Sequence, residues 1–164
     1  MINILFKVLI SKLYKMDENL YSRQIAVYGL DAVKNLSNSS VIINGLNGTS
    51  LEIIKHLILS GISVISIIDD SNVELVDLSD MYYLKEEDIG KNKLDCVINN
   101  LKSLNPYVRV LKNEIINYDL YILVNNNINY AINLNHEVRS LDKRFIWVNS
   151  FGLVGNIFCD FKNY

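Results

Sequence analysis

A chain of 164 residues, half of them hydrophobic, is long enough for one domain with a substantial core. Its formal net charge of −2 and the lack of any basic stripe argue against nucleic acid as a partner. Cys96 and Cys159 stand alone, which excludes a disulfide framework or a thiolate metal motif and fits a reducing compartment.

The mean hydropathy of +0.16 is high for a soluble monomer. It has two readings: a parallel sheet covered on both faces, or an apolar surface kept for a partner. The opening stretch, Met1 to Lys15, is apolar from Ile2 to Ile10 but broken by Lys7 and followed by Lys12 and Lys15. It is too short for a membrane span and lacks a small-residue cleavage site, so it reads as an amphipathic helix or an extension. No other segment reads as a membrane or targeting signal.

Further along, apolar β-branched runs alternate with helical patterns. Val41–Ile43 reads as a strand ending at Gly45. Leu51, Ile54, Leu57 and Ile58 then form one helical stripe, closed by Gly61. Ser63–Ile68 is a second strand, ending on the acidic pair Asp69-Asp70. The pattern predicts a helix over Gly90–Leu104, stopped by Asn105-Pro106, and strands over Val108–Leu111 and Tyr118–Val124. A helix over Tyr130–Ser140, a strand over Phe145–Val148 and a last, antiparallel strand over Gly155–Phe161 complete the series. Alternation of this kind argues a doubly wound α/β sheet with right-handed crossovers. The asparagine run 125–127 carries no functional reading. His56 and His136 are far apart and read as surface or core residues, and both cysteines read as buried thiols.

The first βα turn reads Gly45-Leu46-Asn47-Gly48-Thr49-Ser50. A dinucleotide fold places G-x-G-x-x-G here: one glycine for the turn, one for phosphate approach, one for helix packing. Only Gly45 holds its place. Asn47 stands at the phosphate-approach position and Ser50 at the packing position. The turn survives as architecture, and phosphate binding is expected to be lost. Asp69 ends the second strand where a ribose-binding acid would sit.

An ordered series of motifs resembles the ubiquitin-activating enzymes. It runs through Tyr21-Ser22-Arg23-Gln24, the Gly45 turn, Asp77-Leu78-Ser79, Tyr83 to Lys93, Leu104-Asn105-Pro106-Tyr107-Val108, Phe151 to Gly155 and Phe158-Cys159-Asp160-Phe161. The resemblance implies a mostly parallel, Rossmann-like sheet with helices on both faces, the ThiF-like adenylation fold. It implies two related adenylation halves, one binding Mg-ATP and ubiquitin, the other inactive and packed against it. This chain resembles the inactive half: residues 1–20 form an N-terminal extension and residues 21–164 the half-domain, ending near the insertion of the first catalytic-cysteine half-domain.

The departures follow the same direction. Where the active half carries an Asn-Arg-Gln stretch on the nucleotide, this chain has Ser79, Asp80 and Met81. Asp80 puts a carboxylate where triphosphate charge would lie. The resemblance therefore implies no cofactor held by this half, with Gly45, Asn47, Gly48, Ser50, Asp69 and Asp80 as a degenerate site. It assigns one catalytic role, to Arg23, acting in trans on ATP held by the active half. Lys93 is expected on a helix surface and Lys85 to Asp88 on a solvated face. The partners implied are the active half, on the same chain or a separate subunit, and ubiquitin or a ubiquitin-like protein, in the cytoplasm and nucleus, with no nucleic acid and no membrane. The matching subunit of a SUMO- or NEDD8-activating heterodimer is the nearest alternative. A stand-alone NAD oxidoreductase is disfavoured by the broken glycine pattern.

Overall fold

The structure is a computed structural model that describes residues 17–162. The expected amphipathic segment at the N-terminus lies outside the described residues. Two short helices, α1 (Ser22–Tyr28) and α2 (Leu30–Leu36), precede the sheet. The core then follows as β1 (Ser40–Asn44), α3 (Gly48–Leu59), β2 (Val64–Ile68), α4 (Lys93–Leu104), β3 (Arg109–Lys112), β4 (Leu120–Val124), α5 (Ile128–Ser140), β5 (Arg144–Phe151) and β6 (Val154–Asp160).

The strands lie in the order β3-β2-β1-β4-β5-β6. All neighbours are parallel except β6, which runs antiparallel to β5 with Trp147 opposite Phe158. The two faces explain the continuous apolar runs. In β1, Val41 and Ile43 join the layer under α3 and α4, made with Leu51, Ile54, Ile58, Leu94, Val97 and Leu101. Ile42 points the other way, into the layer with Tyr121, Phe145 and Ala131 and Val138 of α5. Both faces are covered, as a parallel sheet requires. Ser66, the one polar side chain inside β2, is buried and donates to the Glu114 carbonyl at 2.5 Å.

The doubly wound sheet stands as expected, including the antiparallel last strand. The start of α4 differs. Gly90 has φ of +84° and the segment around it pairs with residues 71–73, through Val73 N to Lys91 O at 2.8 Å and Gly90 N to Val73 O at 2.8 Å. The helix therefore begins only after Asn92, whose side chain accepts from Asp95 N. The asparagine run 125–127 has structural work. Asn127 caps α5 by accepting from Tyr130 N at 2.8 Å, and Asn125, at positive φ, accepts from Ser150 N at 2.8 Å. Cys159 is exposed on β6, contrary to the buried thiol expected, because nothing among the described residues covers that edge. Cys96 is half-buried, and burial pushes its thiol up.

Candidate functional site

Parallel sheets bind ligands outside the carboxyl ends of their strands, where the strand order reverses. In this order the reversal falls between β1 and β4, and the Gly45–Ser50 turn occupies it. Gly45 has φ of +100°, and a Cβ there would meet the Val124 carbonyl oxygen of β4 at 2.6 Å. Glycine is obligatory at that point for the backbone alone.

A phosphate cradle works through N–H groups left open at a helix N-terminus. Here most of those groups have internal partners. Gly45 N donates to the Ile68 carbonyl at 3.0 Å. Leu46 N donates to Asp69 Oδ2 at 2.7 Å. Asn47 N donates to Ser50 Oγ at 2.8 Å, and Ser50 N donates to Asn47 Oδ1 at 2.9 Å, a reciprocal capping box. Gly48 N donates to Asp80 Oδ2 at 3.1 Å. The carboxylate of Asp80 thus sits at the positive end of α3, where an anionic ligand would otherwise be favoured. Asp80 is itself a surface residue, so that hydrogen bond and the helix end hold its carboxylate, not burial.

The residues expected at a degenerate site therefore do come together, but the geometry changes two roles. Asn47 turns its side chain back onto the helix as the N-cap, so it takes up donors rather than merely space. Asp69 is tied into the turn, accepting from Leu46 N and, through Oδ1, from Ser71 N at 2.8 Å. A triphosphate does not fit this set: Asp80 already holds Gly48 N at the helix end where its charge would lie, and Asp69 holds Leu46 N. Thr49 adds a link to β5 through a 2.8 Å hydrogen bond with Ser150 Oγ. Among the described residues there is no cluster of His, Cys, Asp and Glu able to hold a metal ion.

Lys93 corrects the sequence reading. Its side chain is only 13% exposed and its Nζ lies 2.8 Å from Asp77 Oδ1, itself 10% exposed. Asp77 Oδ2 also accepts from Glu74 N at 2.7 Å. Lys93 is therefore one half of a largely buried ion pair that pins the 3-10 turn Leu75–Ser79, and with it Asp80, against α4. Met81 is fully buried and joins the core. Lys85 to Glu87 are exposed, as expected of a solvated face, but Asp88 is half-buried because its carboxylate accepts from Lys85 N at 3.0 Å and Lys91 Nζ at 2.9 Å.

Arg23 lies away from this turn, exposed in the first turn of α1, and has no ion-pair partner among the described residues. What fixes α1 is Tyr21, which is 5% exposed. Its hydroxyl accepts from Asn105 Nδ2 at 2.8 Å, and the same Nδ2 donates to Ile58 O at 3.0 Å near the end of α3. Gln24 Nε2 adds a bond to Leu59 O at 3.3 Å. The buried Tyr21–Asn105 pair was not legible from the sequence, where only the family resemblance singled out the Tyr21–Gln24 motif.

The profile of the ThiF family matches residues 21–144, from Tyr21 through the switch-point turn to the start of β5. The chain belongs to the ThiF family. Within it, this ThiF-family chain is 35% identical over 153 residues to mouse (Mus musculus) ubiquitin-like modifier-activating enzyme 1, a match covering 89% of the chain and 14% of the relative. It is also 35% identical over 156 residues to wheat (Triticum aestivum) ubiquitin-activating enzyme E1 1, covering 90% of the chain and 15% of the relative. The chain thus spans about a seventh of the length of these relatives. Among solved structures, Escherichia coli MccB superimposes with a TM-score of 0.76 at 21% identity, covering 88% of the chain and 46% of MccB. The E. coli tRNA N6-threonylcarbamoyladenosine dehydratase TcdA gives 0.71 at 16%, covering 82% and 62%. Those two likenesses establish the fold, a Rossmann-like ThiF adenylation fold related in sequence to the ubiquitin-activating enzymes. No helix among the described residues is long and apolar enough to cross a membrane.

Proposed function

We propose that this chain serves as the non-catalytic adenylation half of a ubiquitin-activating enzyme, packing against an active half that takes Mg-ATP and the C-terminus of ubiquitin. The observation that carries the reading is the hydrogen bond from Gly48 N to Asp80 Oδ2, which gives the phosphate-binding end of α3 to the chain's own carboxylate. An anion already in place at that helix end disfavours a triphosphate on this half. The same geometry disfavours the pyrophosphate of a dinucleotide, and so the oxidoreductase alternative. The identity to ubiquitin-activating enzymes supports ubiquitin over SUMO or NEDD8 as the modifier.

The test separates the halves. Calorimetry of this chain alone with Mg-ATP should show no micromolar binding, while the chain assembled with an active half should support ubiquitin-dependent ATP–pyrophosphate exchange. Exchange by this chain alone would overturn the proposal.

A further inference from the structure

β6 ends the sheet, and among the described residues no strand pairs with its outer edge. The backbone bonds of β5 decide which groups face that edge. Val148 O accepts from Asn125 N, and Arg144 N donates to Asp119 O, so Arg144, Ile146, Val148 and Ser150 turn their backbone toward β4. Phe145, Trp147, Asn149 and Phe151 therefore turn theirs toward β6, opposite Asp160, Phe158, Asn156 and Val154. The alternate residues of β6, Gly155, Ile157 and Cys159, are left with N–H and C=O groups pointing outward.

Open edges are usually guarded by a lysine, a proline, a bulge or a charge. β6 carries no lysine or proline, and its register to β5 is unbroken from Val154 to Asp160. Its one charged residue, Asp160, is already held by Arg139 at 2.6 Å and by Asn135 at 3.2 Å. In place of a guard there is an apolar stripe. Leu153, Ile157 and Phe161 are all exposed and follow one another at four-residue spacing. The stripe is symmetric about Ile157, with a large apolar residue four positions away on either side.

We propose that β6 pairs antiparallel with β6 of a second copy of this chain, about a two-fold axis at Ile157, so that two sheets become one. A surface that meets itself across a two-fold axis must be its own complement, and this stripe is. Ile157 faces Ile157 of the second copy, and Leu153 comes opposite its Phe161. The outward backbone groups of Gly155 meet those of Cys159. Asp160 comes opposite Val154, so no like charges are brought together. All residues of the strand are paired in this register. A slip of two residues would set Ile157 against Gly155 or Cys159 and part Leu153 from Phe161. The pairing involves neither the Gly45–Ser50 turn nor Arg23, so it stands or falls apart from the proposed adenylation role.

Sedimentation of the unaltered chain should show a monomer–dimer equilibrium. Disulfide trapping in the whole chain, with Cys159→Ser as background, reads the register. Ile157→Cys sets two thiols on opposed residues with Cα atoms about 5.5 Å apart, within disulfide reach, and should give a reducible covalent dimer on air oxidation. Val154→Cys lies about 20 Å along the strand from its own mate and should not cross-link. Native Cys159 lies about 13 Å from its mate, so the unaltered dimer should stay non-covalent although that thiol is exposed. Ile157→Lys opposes two ammonium groups at the axis and should raise the dissociation constant about ten-fold or more. A monomer at every concentration overturns the proposal. So does a dimer in which Ile157→Cys fails to cross-link, or Val154→Cys cross-links as readily. The sedimentation of the unaltered chain decides even where a variant fails to fold.

Discussion

Gly48 and Asp80 are fitted to each other at the N-terminus of α3: the amide donates to the carboxylate at 3.1 Å, and a Cβ on Gly48 would meet Asp80 Oδ2 at 2.6 Å. The pair predicts a non-additive cycle. Gly48→Ala should displace the carboxylate and cost about 1–2 kcal/mol in urea unfolding, the scale of one charge-assisted hydrogen bond plus local crowding. Asp80→Ala should cost about 0.5–1 kcal/mol through the helix end. The double variant should lose clearly less than the sum. Neither Asp80→Ala nor Asn47→Gly alone should create micromolar Mg-ATP binding. In the first, Asp69 keeps Leu46 N; in the second, the Asp80 charge remains.

The ion pair of Lys93 with Asp77 makes a second, independent prediction. Removing one member of a largely buried pair leaves the other charged and unmatched, which typically costs about 3–5 kcal/mol. Lys93→Ala should approach that loss in chemical denaturation. Replacing both, as Lys93→Met with Asp77→Leu, should recover most of it, short of the bond Asp77 makes to Glu74 N. An unchanged midpoint for Lys93→Ala would mean the pair is no more than a surface contact.

The contrast between these two pairs explains what the sequence could reveal. The strands were readable because β-branched residues such as Val41 to Ile43, Ile65 and Ile67 are buried, and α3 because Leu51, Ile54 and Ile58 recur at helical spacing. The substitution of Asp80 at an arginine position was visible through the family pattern, but its bond to Gly48 depends on how the 3-10 turn folds back. Lys93 was misread because Asp77 lies in that same turn, far along the chain, and no spacing rule links them. The start of α4 was misplaced for a related reason: backbone bonds to residues 71–73 outcompete the first helical turn. The helices α1 and α2 are too short, at seven residues each, to leave a periodic signal.

Tyr21 and Gly61 give a third test. Gly61 has φ of +82°, and a Cβ there would lie 2.6 Å from the Tyr21 ring. Gly61→Ala should therefore destabilise by about 1–3 kcal/mol, from overpacking and backbone strain together. Tyr21→Phe keeps the ring and removes only the acceptor for Asn105, which retains Ile58 O. About 1 kcal/mol is expected there. Equal losses for the two variants would show that the ring contact is not what seats α1.

The β5–β6 hairpin leaves Phe151, Leu153, Val154 and Ile157 exposed, and β6 forms one edge of the sheet. Exposed apolar edge strands pair with other chains unless charge prevents it. The isolated chain should sediment as a concentration-dependent associating species. Ile157→Lys should shift it toward monomer without altering the far-UV spectrum. A well-behaved monomer of the unaltered chain at high concentration would remove the expectation that this face needs a cover.

Arg23 carries the last prediction, and it concerns the assembled enzyme. The anchor under Tyr21 fixes α1 against the ends of α3 and α4, so the first turn projects Arg23 outward, exposed and without an ion-pair partner among the described residues. By its resemblance to the family motif, Arg23 is expected to reach the nucleotide on the active half. A guanidinium suits that task because it stays charged and offers a planar fork of donors to phosphate oxygens. Removing one such donor from a reacting phosphate costs on the order of ten-fold or more in rate. Arg23→Ala should therefore lower ubiquitin-dependent ATP–pyrophosphate exchange by about that factor while the unfolding midpoint stays put, since no ion pair among the described residues is lost. Arg23→Lys should restore part of the rate, because an ammonium supplies the charge without the fork. Tyr21→Phe, which keeps the packing, should leave exchange nearly intact, so that a loss confined to the Arg23 variants reports the guanidinium and not the seating of α1. Unaltered exchange in Arg23→Ala would leave this chain with no residue acting on the reaction.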